Sequence, residues 1–293
     1  MFDRITIVNV DGRPGDLLET QLALVHSVRQ MPGARCLLLS PTKPANLMEP
    51  IEHVRIAPMG YLEYSLFVTY TLHQFIETDY ALIVQNDGWV LNGALFTKDF
   101  FEFDYIGAPI HLANVITPDG ETLMRKFSWV QRATELRQTP GTKINFLMNG
   151  GFSLRSKKFL KAPSQLGLDY KLRPPTMIVN RAGEQQMQWP EGDAWEDVYH
   201  CVVNRAALES AGIRFPPLNL AAKFAFEHLN PILHKDMDIS KIFGHHMKAR
   251  RLGSLDPLTI RFIWLERELR PIPMEDKVIE AFEKLGYKLE FAT

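Results

Sequence analysis

The chain has 293 residues, of which 46% are hydrophobic and 23% charged, and its formal net charge is −1. This composition is typical of a globular protein with a sizeable core, and the absence of a basic excess argues against a nucleic-acid partner. The two cysteines, Cys36 and Cys201, form no CxxC pair, which argues against a disulfide scaffold or a thiolate zinc site and favours a reducing cytoplasm.

The first hundred residues alternate between strand and helix patterns. Apolar runs in ITIVNV, ARCLLLS, HVRIAP and YALIV predict four strands, and LETQLALVHSVRQM and YLEYSLFVTYTLHQFI predict helices between them. This rhythm predicts an α/β fold with a mixed, mostly parallel sheet flanked by helices. The N-terminus lacks the pattern of a signal peptide and no apolar run approaches transmembrane length, so we expect at most peripheral membrane association.

The second half of the chain is less regular. Residues 111–145 mix proline, glycine and charged residues with weak periodicity, so we expect a long irregular loop that covers a binding site. INFLMNGGFSLRS predicts a strand, and WPEGDAWEDVYHCVVNRAALESAG predicts a loop that leads into a helix ended by Gly212. We expect a single domain over residues 1–253, with residues 254–293 as a charged, helical C-terminal tail packed on it.

The polar triplet Gln85-Asn86-Asp87 directly follows the fourth predicted strand. Because α/β proteins bind ligands beyond the carboxyl ends of their strands, this triplet is a candidate site, and Asp11, which ends the first strand, is a candidate substrate contact. A carboxylate at position 87 could hold Mg²⁺ or Mn²⁺, with phosphate and water completing the shell. The alternative is that Asp87-Gly88 is only a turn.

Two further motifs could carry chemistry. The glycines of Asn149-Gly150-Gly151 interrupt a strand pattern, which indicates either a bulge or the close approach of another molecule to the backbone. Glu196 and Asp197 open a predicted helix, where acids are favoured by the helix dipole alone. Alternatively, one of them is a general base that removes a proton from a sugar hydroxyl. Adjacent helical residues point about 100° apart, so one of the two would face the substrate.

The histidines near the C-terminus form no recognisable zinc signature, and a structural role is the simplest interpretation of each. They are His228, His234, His245 and His246.

The order of DYALIVQNDGWVLN, FDYIGAPI, NGGFSLRS, EDVYHCVVN and KFAFE, over roughly residues 60–246, resembles a bacterial family of GT-A-type glycosyltransferases known as domain of unknown function 5672. The resemblance implies a Rossmann-like GT-A fold. It also implies a nucleotide-sugar half over about residues 1–110 and an acceptor half over about residues 145–253.

The resemblance further implies how the donor would be bound. GT-A enzymes have a D-x-D motif that binds a metal ion and the diphosphate of the donor. The matching triplet here, Gln85-Asn86-Asp87, begins with a glutamine instead of an acid. Asp87 alone therefore carries over as a metal ligand, and Gln85 and Asn86 are expected to contact the ribose or the sugar. The NGGFS segment matches the family's segment beside the donor sugar. The resemblance therefore implies that Asn149, Gly150 and Gly151 contact that sugar.

Two further segments match the family, WED on the acceptor side and FGHH at the metal. The resemblance implies that Asp197 is the base and that Glu196 binds an acceptor hydroxyl. FGHH implies a late histidine ligand for the metal, which is His246, with His245 as the near alternative.

The leading hypothesis is therefore a hexosyltransferase-like enzyme, cytoplasmic or at the inner face of the membrane, acting in polysaccharide biosynthesis. It would transfer a sugar from a nucleotide-sugar donor to a glycan or similar hydroxyl acceptor, with inversion, assisted by Mn²⁺ or Mg²⁺. The alternative is a non-catalytic carbohydrate- or nucleotide-binding protein of the same fold, which Gln85 favours. A metal-dependent phosphohydrolase fits less well, because such sites cluster several carboxylates and histidines.

Overall fold

The computed structural model describes residues 1–126, 140–180, 182–190, 192–229, 233–269 and 271–292. The strands in chain order are β1 (Ile5–Val10), β2 (Arg35–Ser40), β3 (Glu52–Arg55), β4 (Tyr80–Val84), β5 (Gly88–Val90), β6 (Tyr105–Ile116), β7 (Thr122–Lys126), β8 (Lys143–Ser156), β9 (Thr176–Val179), β10 (Gln185–Gln188), β11 (Ala225–Phe226), β12 (Gly244–His246), β13 (Arg250–Leu255), β14 (Leu258–Leu265) and β15 (Lys288–Ala292). The helices are α1 (Leu18–Gln30), α2 (Tyr61–Tyr70), α3 (Lys157–Gln165), α4 (Glu196–Val198), α5 (Arg205–Ser210), α6 (Leu218–Phe224), α7 (Glu266–Leu269) and α8 (Glu275–Lys284).

The largest sheet has seven strands in the order β3-β2-β1-β4-β8-β6-β7. The first four are mutually parallel, whereas β8 runs antiparallel to β4 and β6, and β7 runs antiparallel to β6. Strands β1 to β4 and β6, five of the seven, therefore point in one direction. This confirms the predicted α/β fold with a mixed, mostly parallel sheet.

The central strands are apolar because both faces of the sheet are covered. Every residue of β1 and β4 is buried, as is typical of strands between two layers of helices. The predicted helices are present as α1 and α2, although α2 ends at Tyr70 and continues only as a short 3₁₀ turn over Leu72–Gln74. Across the described ranges, none of the helices is both long enough and apolar enough to cross a bilayer.

The prediction of an irregular loop over residues 111–145 is wrong for the described part of that range. Strand β6 continues to Ile116, β7 pairs with it as a hairpin, and β8 already begins at Lys143. The apolar side chains of Ala113 and Val115 pack with Ile144 and Phe146 in a small cluster of their own, which stabilises the strands beyond the main core. The remaining part, residues 127–139, lies outside the described residues.

The C-terminal segment is also different from the helical tail that was predicted. Residues 254–293 do supply α7 and α8, but β13, β14 and β15 form a three-stranded sheet. The sequence LTIRFIWL of β14 places Ile260 and Phe262 inside and Arg261 outside, which is a strand period. The segment packs into the same hydrophobic core as the N-terminal strands, through Val278 and Phe282.

Candidate active site

A cavity of about 470 Å³ lies beyond the carboxyl end of β4, between that strand end, the middle of β8 and the start of α4. Eight of the eleven predicted site residues line it, namely Gln85, Asp87, Asn149, Gly150, Gly151, Glu196, Asp197 and His246. The structure thus brings the acid that follows the fourth strand and the acids that open the late helix to one cavity.

His246 reaches this cavity through a small second sheet. Strand β12 pairs antiparallel with β5, which places His246 opposite Gly88, and the Met247 amide donates to the Asp87 carbonyl at 2.8 Å. The Nε2 atom of His246 lies 3.1 Å from Oδ1 of Asp87 and also 3.1 Å from Oε1 of Gln85. The turn after β4 and the end of β12 therefore act as one unit.

Opposite charges make Asp87 and His246 an ion pair. Burial acts to raise the pKa of Asp87, but the charge and hydrogen bond of His246, together with Arg251 at 3.6 Å, hold that pKa well below its usual range. Burial acts to lower the pKa of His246, and the carboxylate of Asp87 outweighs this and raises it. Each of the two charged forms therefore stabilises the other.

Gln85 stands where the D-x-D pattern has its first acid, and it links three parts of the site. Its Oε1 faces His246, its Nε2 donates to the hydroxyl of Tyr64 at 2.9 Å, and its backbone amide donates to the Gly151 carbonyl at 2.9 Å. A neutral amide makes these contacts without adding a second negative charge beside Asp87.

The double glycine is explained by a bulge and by close packing against it. The pairing of β8 with β6 shifts register between Gly107 and Pro109, so β8 bulges at this point. A Cβ at Gly151 would overlap His246 Nε2 and lie 2.5 Å from Gln85 Oε1, and a Cβ at Gly150 would overlap the carboxylate of Glu196. The groups that approach these glycines most closely are thus the chain's own side chains.

Glu196 is half of a buried ion pair that the sequence patterns did not indicate. Its Oε1 accepts from Arg155 Nη2 at 2.8 Å, and the Arg155 side chain is fully buried. Arg155 also donates to Ser153 Oγ and to the Gly150 carbonyl, which anchors the bulge. The expected contact of Glu196 with an acceptor is therefore open only to its Oε2, which has no hydrogen-bond partner in the described structure.

Asp197 lies next to this pair with part of its surface open to the cavity. Its Oδ1 accepts from the Val198 amide at 2.8 Å. Burial, and then the neighbouring negative charges of Glu196 and Glu227, raise the pKa of Asp197 to about 7. A carboxyl group with this pKa can take up and release a proton at neutral pH.

Three of the predicted residues do not line this cavity. His245, the alternative metal ligand, points to the opposite side of β12 and is fully buried, with its ring 4.1 Å from that of Trp89, so it does not face this cavity. Alternation along a strand is the reason, since successive side chains point to opposite faces. Asp11 and Asn86 instead line a neighbouring cavity of about 380 Å³.

The two cavities are neighbours that share part of their walls. Tyr61, Tyr64 and Gln85 line both. In the second cavity, Asp11 accepts hydrogen bonds from Arg13 at 2.7 to 3.0 Å, and Asn86 donates to Glu19 at 3.3 Å. The second cavity thus lies at the carboxyl ends of β1 and β4.

Sequence analysis gave no role to several residues that line the first cavity, among them Glu227 and Lys248. Glu227 directly follows the apolar pair of β11, and the polar triplet Gln85-Asn86-Asp87 likewise directly follows the apolar run of β4. That signal could have identified Glu227. Lys248 is an exposed residue just after β12 and has no comparable pattern.

The pair Asp87 and His246 fits a divalent cation in its chemistry, because carboxylate oxygen and imidazole nitrogen are both ligands of Mn²⁺. Oδ1 of Asp87 and Nε2 of His246 lie 3.1 Å apart. In the described ranges, however, no group of three or more His, Cys, Asp or Glu side chains could hold a metal ion. The pair thus fits a site that phosphate and water would complete, as Mg²⁺ sites often are.

Comparison with known proteins places the chain in a family. Residues 61–246, more than half of the chain, match the model of a protein family of unknown function, DUF5672. No curated protein matches significantly. Among solved structures, a mannose-1-phosphate geranyltransferase from Thermus thermophilus is similar at 12% identity and a TM-score of 0.30.

That match covers 54% of this chain and 58% of the other, so this chain spans less than two thirds of the length of the protein it matches. By the match over residues 61–246, the chain belongs to the DUF5672 family.

Proposed function

We propose that this protein is a glycosyltransferase that moves a sugar from a nucleotide-sugar donor to a hydroxyl group of a glycan or similar acceptor. The observation that carries the proposal is that Asp87, paired with His246, and Asp197, with its raised pKa, border one cavity. Its volume of about 470 Å³ is in the range of small-molecule sites, about 300–1,000 Å³.

The donor diphosphate would lie at the end of the cavity that holds Asp87, His246 and Lys248. The Lys248 ammonium, and His246 in its protonated form, supply positive charge toward phosphate oxygens, which stabilises a departing nucleoside diphosphate. A divalent cation would instead be held by Asp87 and the neutral imidazole of His246, and would supply the charge neutralisation at the same place. The nucleoside would extend toward the second cavity, where Asp11 and Asn86 lie.

The acceptor would lie at the end that holds Glu196 and Asp197. The Asp197 carboxylate removes the proton of the acceptor hydroxyl while that oxygen forms a bond to the anomeric carbon and the bond to the diphosphate breaks. Attack from the face opposite the leaving group gives inversion. Oε2 of Glu196, which lies 3.8 Å from His200 Nε2 and has no hydrogen-bond partner in the described structure, can accept a second hydrogen bond from the acceptor.

The proposal extends to the division of the domain into two halves and to the location of the enzyme in the cell. A GT-A-like organisation would place the nucleotide-sugar half at about residues 1–110 and the acceptor half at about 145–253, on either side of this cavity. A cytoplasmic enzyme at most peripherally bound to the membrane, acting in polysaccharide biosynthesis, is compatible with Cys36 and Cys201 being free and buried.

A second candidate function is non-catalytic binding of a nucleotide or carbohydrate. The observation that favours it is that Asp87 is already charge-balanced by His246 and Arg251, and that Gln85 replaces an acid. Such a protein would keep the cavity and lose the reaction.

Nucleotide release from a panel of UDP-, GDP- and CMP-sugars, measured with and without Mn²⁺ and with a mixture of saccharide acceptors, separates the two functions. Turnover of one donor by the wild-type protein, and its loss in Asp197→Asn, supports a glycosyltransferase. Saturable nucleotide-sugar binding with no turnover of any donor supports the binding protein instead.

A further inference from the structure

We propose that Glu227 is a specificity-determining residue for the acceptor, accepting a hydrogen bond from a saccharide hydroxyl next to the one that Asp197 deprotonates. This inference rests on the proposed function.

The strand pairing brings Glu227 to the cavity. Strand β11 pairs in parallel with β12, with Ala225 beside Gly244 and Phe226 beside His245. Continuing this register by one residue brings Glu227 alongside His246, and Glu227 lines the cavity together with Asp197. It therefore shares one cavity with the pair at the donor end and with the proposed base.

The side chain is buried and incompletely satisfied. Glu227 is 5% exposed, and its Oε2 has no hydrogen-bond partner in the described structure. Its other oxygen, Oε1, lies 4.0 Å from Nε2 of His228, which is too long for a hydrogen bond. A buried carboxylate oxygen without a partner is costly, so a ligand that donates a hydrogen bond to it would relieve a defect that the free protein carries.

A saccharide suits this position better than a metal ion. No described group of three or more acidic, histidine or cysteine side chains could hold a metal here. Glu227 and Asp197 are two carboxylates on one cavity, and a sugar presents neighbouring hydroxyls that can donate to both. The effect of the Glu227 charge on the pKa of Asp197 is consistent with their proximity.

Saccharide binding to wild type, Glu227→Gln and Glu227→Asp tests the proposal. Saturation-transfer NMR would measure the Kd of glucose, galactose, mannose and N-acetylglucosamine in the presence of Mg²⁺, with UDP, GDP and CMP in parallel. The control is Glu280→Gln, which changes an exposed glutamate of α8 that does not line the cavity. Calorimetry of the nucleotides and the unfolding temperature report whether each variant keeps its donor site and its fold.

We expect Glu227→Gln to weaken binding of the best saccharide by about tenfold or more, since a hydrogen bond to a charged group is lost. Glu227→Asp keeps the carboxylate but shortens the side chain by one methylene, so its saccharide affinity should lie between those of wild type and Glu227→Gln. The nucleotide affinity should be unchanged in both variants. Equal saccharide affinity in wild type and Glu227→Gln, or no saccharide binding to wild type, would overturn the inference. Saccharide binding that depends on Glu227, without turnover of any donor, would contradict only the glycosyltransferase activity.

Discussion

His246 Nε2 lies 3.1 Å from Oδ1 of Asp87, across the pairing of two three-residue strands from distant parts of the chain. Each residue shifts the pKa of the other toward its charged form. The end of the cavity where a diphosphate would lie is therefore built from a charge-balanced pair. A cation would interact there with the Asp87 carboxylate, and a phosphate with the positive charge of His246.

Replacement of Asp87 tests whether a metal contributes. Asp87→Ala should weaken nucleoside-diphosphate binding by about tenfold or more when Mn²⁺ is present, because a charged ligand of the cation is lost. Without metal the loss should be smaller, since His246 is then released to face the phosphates. Calorimetry with UDP and GDP measures both, with the exposed Asp99→Ala as the control. Affinities that do not differ between wild type and Asp87→Ala under either condition would remove Asp87 from the site.

The raised pKa of Asp197 predicts a pH dependence of turnover. A base must be deprotonated to act, so kcat/KM should rise about tenfold per pH unit below pH 7 and level off above it. Steady-state rates between pH 5 and 9, at a saturating concentration of metal, give this profile. A profile that is flat through pH 7 would show that Asp197 does not limit the reaction.

The same group predicts a pH-dependent stability. The folded protein keeps the Asp197 proton up to about pH 7, whereas an unperturbed aspartate releases it near 3.8, so the folded state binds more protons between these values. The free energy of unfolding contributed by this residue therefore falls as the pH rises through that window. Asp197→Asn should be more stable than wild type at pH 8 and no more stable below pH 3.8, as thermal denaturation at both pH values would show.

The close packing at the double glycine predicts a local effect of a small substitution. Gly151→Ala places a methyl group against His246 and Gln85, and such overpacking destabilises by about 1–3 kcal/mol. Nucleotide binding should also weaken, because both neighbours line the cavity. In the control Gly253→Ala, the added Cβ meets the exposed Arg261 side chain, which can move away. Urea denaturation and calorimetry compare the two variants, and equal behaviour would contradict the packing argument.

The buried pair of Arg155 and Glu196 predicts strong coupling in stability. Arg155→Met leaves the carboxylate of Glu196 buried without its partner and should cost about 3–5 kcal/mol of unfolding free energy. The double variant Arg155→Met/Glu196→Gln should cost less than the sum of the single changes. Arg4→Met, which breaks an exposed pair with Asp79, should cost about 1 kcal/mol or less. Additive costs at the buried pair would contradict the coupling.

Secondary-structure elements and the positions of residues that line the cavity were predicted correctly from the sequence where a local pattern of apolar and polar residues determines them. The apolar run of β4, ending in the polar triplet, predicted both the strand and the position of Asp87, because burial on two faces leaves a continuous apolar pattern. The start of α4 was found because the sequence WPEGDAWEDVYHCVVNRAALESAG passes from a loop pattern into a helix pattern. The hairpin of β6 and β7 was missed because Pro118 and Gly120 in its turn interrupt the apolar pattern, and because pairing of β6 with β8 stabilises it, which no local pattern reports.

The missing parts of the site depend on contacts between distant segments. The choice between His245 and His246 is decided by which face of the two-stranded pairing each occupies, and adjacent residues in a sequence do not reveal it. Burial of Arg155 is possible only because Glu196, far along the chain, neutralises it. Both features arise from contacts that exist only once the chain is folded.

Sugar transfer and nucleotide binding by Asp197→Asn, measured on the same preparation, test whether Asp197 is the base of a sugar transfer. We expect transfer to fall by about 10²–10⁴-fold, the contribution of a general base, while the Kd of the nucleotide stays at the wild-type value. Transfer at the wild-type rate would contradict this role, because the carboxylate that borders the cavity opposite Asp87 would then have no part in the reaction.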